Sequence, residues 1–117
     1  MRRRLILALA AAVTAAACSS TPQRYEWGSY QESVYLLTAG EGQVDVDAQI
    51  QAMNATVEQA RQRDRPVPPG MHAHIGLLYS MRGELDLATA AFETERELYP
   101  ESAGFINGML TRMRAQP

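Results

Sequence analysis

The chain contains no lysine; all eleven of its basic residues are arginine. It has one cysteine, Cys18, so no disulfide can form within the chain and the core must hold the fold alone. Histidine occurs only at positions 72 and 74, with no third cluster of ligands beside them, which argues against a closed metal site. No Gly-X-Ser-X-Gly segment is present to carry a nucleophilic serine. No stretch alternates at period two over more than a few residues, which excludes a sheet protein. The longest apolar run, Leu5–Ala17, is 13 residues, short of the roughly 20 that a spanning helix needs.

That run lies within the range of a signal-peptide apolar region, about 7–15 residues. Arg2, Arg3 and Arg4 precede it, and basic residues there stay on the cytoplasmic side during export. Small residues lead to Ala15-Ala16-Ala17-Cys18, which resembles a bacterial lipobox. Such leaders imply diacylglycerol on the thiol of Cys18, cleavage before it and acylation of the new amine. Ala15 stands where leucine is commonest, and Ala-X-Ala is also accepted by the ordinary signal peptidase, so plain secretion is the alternative. Ser19, rather than aspartate, follows the cysteine, which by resemblance to sorting rules implies the outer membrane. Several acyl chains give stable anchoring, at about 0.8 kcal/mol per buried methylene. The expected organisation is a cleaved leader at 1–17, a lipidated tether at 18–24 and one helical domain at 25–117.

Without the leader, eight arginines face thirteen acids, a net charge of −5. That excess argues against a nucleic-acid role, which wants a basic face. One small domain is expected, not two.

The pattern predicts an all-α fold of about five helices. Tyr30, Val34 and Leu37 share one face of a first helix that Gly40 ends. Val46, Ile50, Met53, Val57 and Ala60 form one stripe over Asp45–Asp64, before Pro66-Val67-Pro68-Pro69-Gly70 forbids helix. Met71–Arg82 is a third helix and Leu85–Tyr99 a fourth, with Ala88, Ala91, Phe92 and Leu98 as its buried face. Glu101 or Ser102 caps a last helix whose stripe is Phe105, Ile106, Met109, Leu110 and Met113.

Residues 69–102 resemble a tetratricopeptide repeat, a 34-residue pair of antiparallel helices. Ile75, Gly76 and Tyr79 match the large, small and aromatic positions of its first helix, Gly83 the turn, Ala88 and Phe92 the second helix, and Pro100 the terminator. Glu95 departs from the pattern, standing where alanine usually packs, and His72 replaces the usual aromatic. One repeat cannot bury its own faces, so the flanking helices must complete the core.

Three phrases go further: Tyr25-Glu26-Trp27-Gly28-Ser29-Tyr30, Pro68 to Leu77, and Glu95 to Ser102. With the lipobox, they resemble an uncharacterised family of proteobacterial lipoproteins, domain of unknown function 4810, over most of residues 24–112. The resemblance implies a cell-envelope complex that includes a lipoprotein like the curli export channel. It implies no reaction.

His72 and His74 point about 200° apart on a regular helix and cannot chelate one ion from it. His72 is expected to pack within the repeat and His74 to face water or a partner. Glu93, Glu95, Glu97 and Glu101 read as a solvated face. Trp27 and Tyr30 are expected to fasten the tether to the body, while an exposed Trp27 would suit a binding hot spot. In a repeat of normal packing, Ala73, Leu77 and Ser80 face the concave groove used for peptides; the alternative for Leu77 is burial beneath the Asp45–Asp64 helix. The expected function is therefore a non-enzymatic outer-membrane lipoprotein facing the periplasm, without cofactor or small-molecule substrate. It would bind the membrane through its lipid, and other envelope lipoproteins or peptide segments through its surface. A pilotin-like or pilus-assembly lipoprotein is the alternative, and a periplasmic metal-binding protein a more distant one.

Overall fold

The computed structural model describes residues 22–40 and 44–117. The leader, Cys18 and the first part of the tether lie outside the described residues. The chain forms helices α1 (Tyr30–Ala39), α2 (Val46–Gln62), α3 (Met71–Met81), α4 (Leu85–Leu98) and α5 (Ala103–Arg114), with a 3-10 turn, Pro100–Ser102, before α5. No strand occurs among the described residues, so the domain is all-α.

The helix ends have local causes. Gly40 closes α1 in the left-handed region at φ 66. Asp45 caps α2 by accepting a hydrogen bond from the Ala48 amide at 3.0 Å. After α2 the chain turns through Asp64, a non-glycine residue at φ 50, and then the proline-rich linker. The Ser102 hydroxyl donates to the Tyr99 carbonyl at 2.7 Å rather than capping α5.

A tight turn at Gly83 folds α4 back along α3. The start of α3 meets the end of α4 at Glu95, and mid-helix Gly76 meets Phe92, so the two run antiparallel. Two apolar clusters flank this hairpin. Ile50, Met53 and Ala60 of α2 join Val67, Met71, Ile75, Leu78 and Ala91 in the first. Ala88 and Phe92 of α4 join Ile106, Leu110 and Met113 of α5 in the second. Tyr79 packs against both, and its hydroxyl accepts from Asn54 Nδ2 at 3.1 Å.

Three expected faces are rotated. On α1 the buried residue is Ser33, while Val34 and Leu37 are only half-buried. A small hydroxyl with polar partners can be buried at little cost, so the helix turns it inward. On α4 the inward row runs through Ala88, Phe92 and Glu95, which leaves Leu98 54% exposed. On α5 the row Ile106, Leu110 and Met113 faces α4; Phe105 lies on the flank and is 62% exposed.

The antiparallel pair depends on Gly76. A methyl placed there would sit 2.9 Å from the Phe92 ring, which is fully buried and has nowhere to move. Gly76→Ala gains about 1 kcal/mol of helix propensity but incurs an overpacking cost of typically 1–3 kcal/mol. The expected net result is a loss of about 1 kcal/mol, seen as a lower urea midpoint. A raised midpoint would show that the two helices are not confined there.

Candidate functional site

Glu95, on α4, is 1% exposed. Its carboxylate accepts from the backbone amides at the start of α3: Gly70 at 2.6 Å, His72 at 3.1 Å and Ala73 at 3.3 Å. The arrangement places an anion on the positive end of a helix and satisfies amides that have no intrahelical partner. The reading of Glu95 as part of a solvated run is therefore corrected. Its three bonds hold the end of α4 to the start of α3, which is why a carboxylate can stand where alanine usually packs. The acid also bears on its neighbours. Burial raises the pKa of Tyr30, and the negative charge of Glu95 adds to that rise. Burial lowers the pKa of His72, against an opposing pull from Glu95.

A second polar chain ties α1 to the body. His74 Nε2 lies 2.7 Å from Ser33 Oγ, and that hydroxyl donates to Gln49 Oε1 at 2.6 Å. All three residues are buried; His74 is 7% exposed, so it faces neither water nor an open partner surface as expected. Tyr30 stands edge-on to the His74 ring at 5.9 Å. Burial lowers the His74 pKa. A serine beside a neutral histidine is nucleophile-and-base geometry. With the Gln49 amide as placed, the hydroxyl donates to Gln49 Oε1 and receives from His74 Nε2; with the amide turned over, Gln49 donates and the hydroxyl donates to His74. Gln49 Nε2 is buried without a partner. Turning the amide over exchanges donor and acceptor and still leaves one end unpaired.

Beside this chain a crevice of about 390 Å³ opens between α1 and α2. Leu36, Val44, Ala48 and Ala52 line it, with Ser33 and Gln49 on its walls and the acids Glu32 and Asp45 also on its lining. Its size is at the low end for ligand sites, about 300–1,000 Å³. Leu36 is 43% exposed there. Sequence reading missed this place because its polar members come from two helices, α1 and α2, and the segments that flank them.

The segment before α1 lies over the α2–α3 linker. Trp27 stacks on Tyr30 at 6.1 Å and meets Tyr25 edge-on at 6.2 Å. The Glu26 amide donates to the Pro66 carbonyl at 2.9 Å, and its buried carboxylate pairs with Arg63 at 3.1 Å. Trp27 is half-buried in this ladder. Ala73 packs against the second apolar cluster, and Leu77 and Ser80 are half-buried, with the Ser80 hydroxyl donating to the Leu77 carbonyl at 2.7 Å. The histidines diverge from α3: His74 meets Ser33, and His72 lies near Glu95. Among the described residues no three His, Cys, Asp or Glu side chains gather to hold a metal ion. None of the described helices is long and apolar enough to cross a membrane.

The family described as Domain of unknown function (DUF4810) matches residues 24–109, covering the helical body from the aromatic ladder into α5. The chain belongs to this family. No curated protein and no solved structure matches it.

Two outcomes are expected for this family member. Glu95→Ala strands three amides at the start of α3 and should cost roughly 3 kcal/mol in urea unfolding, since hydrogen bonds to charged groups contribute about 1.5–3 kcal/mol each. Glu95→Gln keeps an acceptor and should cost less. A change within about 0.5 kcal/mol for Glu95→Ala, the usual surface value, would mean that the carboxylate is not engaged.

The second concerns pH. His72 and His74 have folded pKa values below the ordinary value of about 6.5, so the unfolded chain binds more protons in this window. Stability is full above that value and falls as pH drops through it toward the folded pKa values. The urea midpoint should fall between about pH 7.5 and pH 5.5. His74→Gln should reduce the slope, and an unchanged slope would remove His74 from the account.

Proposed function

We propose that the protein is a non-enzymatic cell-envelope lipoprotein. Acyl chains on Cys18 hold it at the outer membrane, and a tetratricopeptide-like body faces the periplasm. There it acts as an interaction or assembly subunit, with a lipoprotein like the curli export channel as partner. The observation that carries the reading is how the body uses its reactive groups. Ser33, His74 and Glu95 are buried and engaged in joining helices, while the crevice and exposed apolar side chains present surface. The close approach of Gly76 to Phe92 supports the repeat, because it is the small-against-large contact that the motif requires. The leader and Cys18 support export and lipidation.

The test has two arms. Cys18→Ala should yield an uncleaved or soluble species in cell fractionation; a variant that stays with membranes at mature size would refute lipidation. Mild crosslinking in envelope fractions followed by affinity purification should recover an envelope partner from the native chain. Leu77→Glu, on the expected groove, should reduce that recovery while leaving the circular dichroism unchanged. Recovery of no partner from the native chain would refute the assembly role.

A further inference from the structure

We propose that the end of the bundle where the chain enters the fold docks on the lipid bilayer, with Leu98, Phe105 and the Tyr25–Trp27 pair at the headgroup layer. The inference rests on the lipid anchor at Cys18 proposed above. That anchor leaves a short tether. Three residues, Ser19, Ser20 and Thr21, separate Cys18 from Pro22, so Pro22 stays within about 14 Å of the lipidated residue even when the chain between them is fully extended. The linker between α2 and α3 shows which side chains lie at this end. The Glu26 amide donates to the Pro66 carbonyl, and the Tyr99 hydroxyl donates to the carbonyl of Val67, the next residue. The entering segment and the end of α4 therefore meet at one corner. Leu98 precedes Tyr99, and Phe105 follows it in the first turn of α5. Both are more than half exposed and belong to neither apolar cluster.

The side chains gathered there suit a bilayer surface. Tryptophan and tyrosine are enriched at the membrane–water interface, which accommodates an apolar ring with a polar edge, and leucine and phenylalanine supply apolar area to bury. The charges at this end are of both signs. Arg63 and Arg65 pair with the buried Glu26, Arg24 and Asp64 are exposed beside them in sequence, and Glu97 and Glu101 lie on either side of Tyr99. Net charge therefore selects no anionic surface. A phosphatidylethanolamine headgroup carries a phosphate and an ammonium and meets both signs. Two apolar side chains bind a bilayer weakly from solution, but a tether of this length makes docking an intramolecular step at high effective concentration.

The test uses Trp27, the only tryptophan in the chain. The full lipidated chain is reconstituted in phosphatidylethanolamine–phosphatidylcholine vesicles, with and without a nitroxide at headgroup depth. About a dozen Gly-Ser residues inserted after Ser20 lengthen the tether in every sample, so that proximity reports docking and not the anchor alone. The nitroxide should quench Trp27. Leu98→Glu with Phe105→Glu should remove most of that quenching while the circular dichroism stays unchanged. Leu87→Glu, also at an exposed position but roughly 16 Å back along α4, should leave the quenching in place. Phe105→benzoylphenylalanine, irradiated in envelope fractions, should form lipid adducts. No quenching, quenching untouched by the double variant, equal loss with Leu87→Glu, or adducts with protein alone would each overturn the proposal. Vesicle flotation separates its failure from that of the anchor. A chain that floats with the vesicles yet is not quenched refutes docking and leaves lipidation of Cys18 standing; a chain that does not float refutes both.

Discussion

A carboxylate buried against the first turn of α3 organises this small domain. An isolated ionised group loses far more on leaving water than one hydrogen bond returns. Glu95 meets that cost with three backbone donors and the field of a helix terminus. Its position then constrains its surroundings. Gly70, whose amide is the nearest donor, adopts φ 94, and a side chain there would meet the Tyr30 hydroxyl. Tyr30 in turn carries the stack with Trp27 and stands over His74. The anion thus joins the end of α4, the start of α3 and the aromatic segment that enters the fold. The Tyr99 hydroxyl, donating to the Val67 carbonyl, ties the same corner from the other side.

The remaining polar interior serves α1. That helix contributes Ser33 to the interior and leaves Tyr35 and Leu36 exposed. Its attachment rests on a serine shared between a histidine and a glutamine, not on an apolar stripe. Such an attachment is directional, since it fixes which face of α1 points inward. It is also incomplete, because one end of the Gln49 amide has no partner. Apolar clusters lie on both sides of the α3–α4 hairpin, and the crevice opens on the side of α1.

The helices were legible because their signals are local. Gly40, Asp45, the proline-rich linker and Gly83 mark boundaries by backbone chemistry that neighbours do not alter, and the α2 stripe needed only period 3.6. Gly76 and Phe92 were legible as a pair because the small and large positions of a 34-residue helix pair face each other. Glu95 and His74 were not. A glutamate among glutamates carries no mark of burial, and only the proximity of α3's open amides makes its place inside affordable. The Ser33–His74 contact joins residues 41 apart in sequence, and no periodicity within α1 signals it. Leu98 and Phe105 were misplaced for the same reason: once Glu95 holds the inward row of α4, the faces beside it turn outward.

A body of this size has little interior to spare. Its buried serine, histidine and glutamate are spent on holding five helices in register. What the described residues leave open is the crevice between α1 and α2 and the side chains that the inward rows of α4 and α5 turn outward, Leu98 and Phe105 among them.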